Sequence, residues 1–441
     1  MNYPEEVFKK NDIRGKLDQI TPELARTVGF SLAKMQNAEV MVVGRDMRKT
    51  SPEISDALIA GIRAAGVHVK DMGLVTTSLF NYAVSTLEVD AGCMVTASHN
   101  PSEYNGIKMA TKEGLPIPGT DIYAHLIEEA AADTQGTLEE ISVVGDYLDA
   151  VLGERNVPDV SNLSLVVDYG NGMGIVTLRP FFERLGMDVT ELYPEPDADF
   201  PNHEANPAKE DTLVDLKAKV LEVGADIGIA IDGDGDRVGF IDDKGKSLRG
   251  DQVLTLLALE ALKGGAGGNI ITAPNMGWGI RDLVKGAGGA CIDVPIGRTK
   301  VVRAVSEHSA LVGGEISSHF MFPEFSSLES IDFAILSILA LIKTSGKSLS
   351  QLTEHLHGYV NSGQINTEVG DKDAVIAAVK ARYESEADVV NEMDGIRCEF
   401  GRDWWFLLRK SNTEPIVRLT VEAKSEELMR EKVGELKEFL V

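Results

Sequence analysis

Three stretches of this chain repeat one plan. Apolar strands alternate with amphipathic helices, and the last strand of each stretch runs into a polar loop. The first stretch has a helix begun by Thr21-Pro22-Glu23, where Thr21 suits an N-cap and Pro22 the first turn. A strand over Val40 to Gly44, a helix from Ser51 to about Ala65, a strand over Val67 to Met72 and a helix over Thr76 to Ser85 follow. It ends in an apolar strand, Val89 to Val95, before Thr96-Ala97-Ser98-His99-Asn100-Pro101. The second stretch has strands over Leu163 to Asp168, Met187 to Leu192 and Asp226 to Ile231, with helices over Thr177 to Leu185 and Asp211 to Glu222 between them. It ends in Asp232-Gly233-Asp234-Gly235-Asp236-Arg237. The third has strands over Asn269 to Ala273, Ala290 to Val294 and Ala310 to Val312, with a helix over Gly279 to Lys285, and ends in Gly313-Gly314-Glu315-Ile316-Ser317-Ser318-His319. Strands alternating with helices predict α/β units with parallel pairing. A repeat this large is a domain duplication rather than a solenoid.

After Asn361-Ser362-Gly363-Gln364 the pattern changes. Helix Lys372 to Glu384, three strands (Gly395 to Phe400, Trp404 to Lys410, Pro415 to Ala423) and helix Ser425 to Phe439 predict a small α+β domain. The expected domains are therefore residues 1–149, 150–249, 250–361 and 362–441. A chain of 441 residues is too long for one ordinary core, which agrees.

Composition narrows the partners. A hydrophobic share of 43% with 25% charged residues is that of a folded soluble chain. The formal charge of −26 repels nucleic acid and anionic membranes, so neither is an expected partner. Cys93, Cys291 and Cys398 are far apart and form no CxxC, which suits a reducing compartment. The opening MNYPEEVFKK is polar, unlike a signal peptide, and the apolar run Ile331 to Ile342 is too short to span a bilayer and contains Asp332. The expected location is the cytoplasm.

Four loops carry the chemistry. Ser98 stands where a loop leaves the C-terminal end of a strand, the edge at which open α/β sheets bind ligands. With His99 beside it, able to exchange a proton near neutral pH, Ser98 fits a nucleophile. A turn whose Ser and Asn bond the backbone accounts for the octapeptide equally well. Asp232, Asp234 and Asp236 alternate with glycines, so three carboxylates converge and repel one another unless a cation sits between them. Hard oxygen ligands suit Mg²⁺ or Ca²⁺. An EF-hand is excluded because Arg237 takes the position that needs glycine and a strand precedes the loop. Glu315, Ser317 and His319, if extended, would point the same way and suit a hydroxyl-rich ligand such as a sugar. Arg409 and Arg418 could grip a phosphate, with Ser411, Asn412 and Thr413 as further donors. A serine loop, a metal loop, a polyol loop and a phosphate grip together specify phosphoryl transfer on a sugar phosphate, which needs positioning and charge neutralisation.

At this point the motifs resemble a known family, the α-D-phosphohexomutases, and in particular the bacterial phosphomannomutase/phosphoglucomutase branch. The resemblance covers the whole chain: Asp12-Ile13-Arg14-Gly15, Gly44-Arg45-Asp46, Thr96 to Pro101, Asn105-Gly106-Ile107-Lys108, Asp232 to Arg237, Gly314 to His319 and Arg409 to Pro415. It implies four domains around a central cleft, three of them related α/β units with mixed sheets, the last α+β. It implies a phosphoserine at Ser98 and Mg²⁺ held by that phosphate with Asp232, Asp234 and Asp236. Arg14, Lys108 and Arg237 would offset the remaining charge. Lys108, His99 and His319 are the implied proton carriers. Glu315 and Ser317 would hold the sugar, and Arg409, Ser411, Asn412, Thr413 and Arg418 the phosphate that is not reacting. The implied reaction interconverts hexose 1- and 6-phosphates of mannose and glucose through a 1,6-bisphosphate, which also serves as activator. A monomer or homodimer is expected, with Asn361 to Gln364 hinging the last domain. Three motifs depart from the family pattern. Asn11 stands where Tyr is usual, Ile316 and Ser318 enter the sugar loop, and Pro295-Ile296-Gly297-Arg298 replaces Lys-Thr-Gly-His. Arg298 is the expected substitute charge for substrate binding. Rival readings are a glucosamine-phosphate mutase, a metal-dependent sugar phosphatase and a silent sugar-phosphate binding protein.

Overall fold

The computed structural model describes residues 3–129, 134–153, 157–411 and 415–440. They form two compact units, residues 1–250 with 317–350, and residues 251–316 with 351–441.

The first unit opens on a six-stranded sheet. Its elements are β1 (Ile13–Lys16), α1 (Pro22–Met35), β2 (Val40–Arg45), α2 (Ser51–Ala64), β3 (His68–Leu74), α3 (Thr77–Thr86), β4 (Ala91–Val95), β5 (Tyr104–Thr111), α4 (Gly119–Ala124) and β6 (Leu138–Glu140), in sheet order β1-β5-β4-β2-β3-β6. Thr21 and Thr76 cap α1 and α3, each side-chain oxygen accepting from an amide of the first turn. β2 lies parallel to β3 and β4, as the alternation predicts. β5 does not: it runs antiparallel to β4 on one side and β1 on the other. The reason is length. Residues 96–103 are too few for a crossover helix, so the chain must turn straight back. Asn105-Gly106, a dipeptide common in turns, lies inside β5, where pairing on both edges outweighs local preference.

After α5 (Val144–Leu152) the plan recurs in β7 (Leu165–Asp168), α6 (Ile175–Arg184), β8 (Val189–Leu192), α7 (Val214–Val223), β9 (Ile227–Ile231) and β10 (Val238–Asp242), with sheet order β10-β9-β7-β8. β7 is parallel to β8 and β9, whereas β9 and β10 are antiparallel. The sheets are thus mixed, and both chemical loops of this unit are short reversals at the C-terminal ends of buried strands. A hairpin of Phe320–Phe322 and Leu328–Glu329 and the buried helix Ile331–Ser345, capped by Ser330, complete the unit.

In the second unit strand Gly268–Thr272 is parallel to Gly289–Asp293 and to Val312–Gly314. Two helices stand here beyond those expected from the sequence, Gly250–Leu262 and Arg298–Glu307. The former is apolar for most of its length and shows no one-sided period. The C-terminal sheet is antiparallel, with Ile396–Phe400, Trp404–Lys410 and Ile416–Ala423 as expected, joined by Val360–Asn361, Ile365–Glu368 and Val389–Asn391. Helices Lys372–Tyr383 and Glu426–Lys437 pack on it around Tyr383, Trp404 and Phe406. This sheet is locked to the turn after Gly268–Thr272. Arg397 donates to the carbonyls of Pro274 and Met276 at 2.5 and 2.8 Å, and its guanidinium lies 3.7 Å from the Trp405 ring centre. Glu422 accepts from the Trp278 amide and the Trp405 indole, each at 2.9 Å. Of the expected hinge Asn361 to Gln364, Asn361 pairs with Glu422 of strand Ile416–Ala423 and Ser362 N–H donates to the Val421 carbonyl at 2.8 Å.

Candidate active site

In the first unit the serine loop and the carboxylate loop meet. β4 carries Ser98 to its C-terminal end, and β9 does the same for Asp232. Ser98 is buried and has φ +52, a left-handed conformation that costs a non-glycine residue about 1–3 kcal/mol. Its amide donates to Thr96 Oγ1 at 2.9 Å, and its Oγ donates to Asp232 Oδ2 at 3.0 Å. His99 Nδ1 lies 3.3 Å from the same Oγ. Burial, with Arg237 and Arg14 close by, pushes the His99 pKa down to about 2, so the imidazole is neutral here rather than poised near pH 7.

Asp232, Asp234 and Asp236 are fully buried and offer oxygens within 4.8 Å of one another. Lys108, on β5, donates to Asp234 Oδ2 at 2.6 Å and Asp236 Oδ2 at 2.7 Å. Thr77, in the first turn of α3, donates its hydroxyl to Asp234 Oδ2 at 2.8 Å and its amide to the Asp234 carbonyl at 2.7 Å. Asp232 Oδ1 accepts from the amides of Asp236 and Arg237. Burial raises the pKa of Asp232, and its two charged neighbours raise it further. Burial acts the same way on Asp234 and Asp236, but Lys108 brings both below the usual range. Asp234 Oδ1 is buried with no hydrogen-bond partner among the described residues. Such an oxygen is costly unless something binds it. Carboxylate oxygens, a serine hydroxyl and an unfilled acceptor fit a hard divalent cation.

The other predicted residues of this unit gather around the same loops. Arg14 donates to Asn100 Oδ1 at 2.8 Å and pairs with Asp12. Arg237 donates through Nε to His319 Nε2 at 3.2 Å, while His319 Nδ1 meets Ser317 Oγ at 3.0 Å. His319 Nε2 is also 3.3 Å from Asp236 Oδ1. The predicted strand alternation of Glu315, Ser317 and His319 is corrected here. The strand stops at Gly314, residues 316–318 turn, and Ser318 has φ +71. Ser317 and His319 meet through that turn.

In the second unit Arg409 and Arg418 are cross-strand partners, and Arg418 reaches Ser411 Oγ at 3.5 Å. Burial, then Arg418, lowers the Arg409 pKa, as expected where two guanidinium groups stand side by side. Lys372 donates to the Ser411 carbonyl at 3.0 Å. It is a cation of this cluster that no motif marks, since it comes from a helix nearly forty residues upstream. Glu315 follows strand Val312–Gly314, and Arg298 opens helix Arg298–Glu307. Asn412 and Thr413 lie outside the described residues.

Four family descriptions match in order along the chain: phosphoglucomutase/phosphomannomutase α/β/α domains I, II and III at residues 5–136, 145–245 and 249–359, and the C-terminal domain at residues 365–438. The chain belongs to the phosphoglucomutase/phosphomannomutase family. A protein of Xanthomonas campestris named "Phosphohexose mutases" is 35% identical over 433 residues, 96% of each chain. The phosphomannomutase of Escherichia coli K12 is 33% identical over 434 residues, 95% of each. A crystal structure of a phosphoglucomutase/phosphomannomutase family protein from Burkholderia thailandensis superimposes with a TM-score of 0.91 at 30% identity, covering 100% of this chain and 98% of that one. Family membership agrees with the fold, mixed sheets flanked by helices followed by an antiparallel C-terminal sheet.

Proposed function

We propose that this protein interconverts the 1- and 6-phosphates of mannose, and likewise of glucose, by passing a phosphoryl group through Ser98 and a hexose 1,6-bisphosphate. The observation that carries this is the bond from Ser98 Oγ to Asp232, made at the tip of a strained loop beside two further buried carboxylates and Lys108.

In the working enzyme Ser98 carries phosphate, with nearly two negative charges at neutral pH. Arg14, Lys108 and Arg237 balance that charge. Asp232, Asp234 and Asp236 with the serine phosphate would hold Mg²⁺. That ion, when bound, supplies charge neutralisation at the phosphoryl oxygens. The P–O bond to Ser98 Oγ breaks as a new one forms to the sugar's free hydroxyl, whose proton leaves to a base. Of the three expected proton carriers, Lys108 and His319 are the groups from which that base and the returning acid are drawn, and His99, whose pKa lies far below neutral, serves as a neutral hydrogen-bond partner of Ser98 Oγ. The bisphosphate then gives its other phosphate back to Ser98. Glu315, Ser317 and Arg298 hold the sugar; Arg409, Ser411, Asn412, Thr413 and Arg418 hold the phosphate at rest. Hexose 1,6-bisphosphate acts as activator because it rephosphorylates a serine that has lost its group.

We take the domains to be residues 1–149, 150–249, 250–361 and 362–441, the partners to be sugar phosphates, and the active form to be a monomer or homodimer in the cytoplasm. Three free cysteines suit that compartment.

A coupled assay tests the reaction. Mannose 1-phosphate and glucose 1-phosphate are supplied with Mg²⁺ and a trace of glucose 1,6-bisphosphate, for native protein and Ser98→Ala. Turnover of both sugars that collapses in the variant is expected. Turnover of one sugar alone restricts the substrate; preference for glucosamine 1-phosphate reassigns it. Release of inorganic phosphate without isomerisation refutes the mutase.

A further inference from the structure

We infer that Arg48 is a positioning residue for phosphoryl transfer, its guanidinium clasping the backbone of the Ser98 loop and setting where Oγ stands. The inference rests on the proposed role of Ser98.

Arginine has five N–H donors in one rigid plane. Here each has an acceptor. One terminal nitrogen donates to the carbonyls of Ser98 and Asn100, at 2.9 and 2.5 Å. The other donates to those of Pro101 and Tyr104, at 2.7 and 2.9 Å. Nε donates to Asp46 Oδ2 at 3.2 Å. Asp46 is held in turn, its Oδ1 accepting from the Arg48 amide at 3.0 Å and from Ser51 Oγ at 2.5 Å. Both charged side chains are 1% exposed. Where the chain reverses from β4 into β5, the carbonyls of Ser98, Asn100, Pro101 and Tyr104 need donors, and one guanidinium supplies them for all four.

The clasp has a second face. Phe200 lies with its ring centre 5.3 Å from the guanidinium, and Gly233, between two of the carboxylates, sits against the Ser98 carbonyl so closely that a Cβ there would come within 2.5 Å of it. Arg48 therefore joins the backbone of Ser98 to a loop whose other side touches the carboxylate loop. Ser98 keeps its left-handed conformation because this surrounding structure over-determines it. Displacing a reacting oxygen by about 1 Å is enough to lower a rate roughly 100-fold.

The test is Arg48→Lys, with Lys49→Ala as the neighbouring surface control. Lysine keeps the ion pair with Asp46, but a single ammonium cannot span four carbonyls. Folding is checked by circular dichroism and thermal unfolding. The phosphoserine signal is followed by ³¹P NMR after loading with glucose 1,6-bisphosphate. The expected result is a folded variant with KM for glucose 1-phosphate within about twofold of native, kcat lower by about 100-fold, and phosphoserine loading slowed by the same factor. Lys49→Ala keeps native kcat. A folded Arg48→Lys with kcat within about threefold of native overturns the inference, as does a change confined to KM. If that variant does not fold, Phe200→Leu carries the test, since it uncovers the guanidinium and leaves every bond partner in place. A kcat lower by about threefold to tenfold at unchanged KM supports the inference, and native kcat overturns it. Native protein that isomerises no sugar phosphate refutes the mutase reading and this inference together; native turnover with an indifferent Arg48 refutes the inference alone.

Discussion

Asp332→Asn should change how stability depends on pH. Asp332 lies in the first turn of helix Ile331–Ser345 and is fully buried. Its Oδ2 accepts from the Tyr147 hydroxyl at 2.7 Å and from Thr177 Oγ1 at 3.2 Å. Its Oδ1 is buried with no partner among the described residues. Burial pushes the pKa up to about 6, and the two hydroxyl donors hold it from rising further. An unfolded aspartate titrates near ~3.9, so between these values the folded state binds the proton more tightly than the unfolded one. The contribution of this group is fully present below about pH 4 and is lost as pH rises through about 6. The whole loss is ~3 kcal/mol, and ~1.4 kcal/mol of it falls between about pH 5 and about pH 7.5. Asparagine cannot ionise. Its amide replaces the neutral carboxyl at a cost that does not depend on pH and so cancels in the comparison, while the bonds made by the ionised form are already contained in the pKa. Urea unfolding of both proteins at the two pH values gives the double difference. The stability of the variant relative to native should rise by about 1.4 kcal/mol from the lower to the higher pH. A relative stability flat to within about 0.5 kcal/mol would show that the carboxyl is not perturbed and that water or another group reaches Oδ1.

Three further outcomes follow from the same geometry. Mg²⁺ at about a hundred times its Kd should stabilise the native protein by ~2.7 kcal/mol, seen as a thermal shift reversed by EDTA, and Asp234→Asn should lose it; an equal shift in the variant would place the ion elsewhere. Gly233→Ala should leave the protein folded but lower kcat by about 100-fold, because the new Cβ would stand 2.5 Å from the Ser98 carbonyl and push it aside; native kcat in the standard coupled assay would contradict that. Arg397→Met should destabilise by about 3 kcal/mol in urea unfolding, since it strips donors from the Pro274 and Met276 carbonyls and the partner from Glu399, paired at 2.7 Å; a cost below about 1 kcal/mol would mean the ion pair contributes little.

What the sequence made legible was local or periodic. Val40–Arg45, Ala91–Val95 and Ile227–Ile231 are apolar runs bounded by loop residues, and a buried strand needs nothing else to be read. The alternation Asp232, Asp234, Asp236 is chemistry written at consecutive positions, and the structure gathers those oxygens as expected. Strand direction was harder. Alternating helices suggest parallel pairing, and only the short connections at residues 96–103 and 232–237 forbid it for β5 and β10. The turn at 316–318 was hidden for a different reason: Glu315, Ser317 and His319 alternate as a strand would, and nothing local says that Ser318 adopts a positive φ.

The contacts least legible were those in which a side chain serves the backbone. Thr77 reads as the first turn of a helix, yet it gives a hydroxyl to Asp234 and an amide to that residue's carbonyl. Arg48 follows Gly44-Arg45-Asp46, and its four carbonyl acceptors lie some fifty residues downstream, where any side chain would present the same oxygen. A pattern of residue types can announce a ligand set because the ligands are side chains. It cannot announce a clasp whose other half is main chain. The loop that bears Ser98 is therefore recognisable only together with the other side-chain motifs, since its own eight residues suit an ordinary turn equally well, whereas the geometry that makes its hydroxyl useful depends on an arginine from another strand end and a glycine from the carboxylate loop.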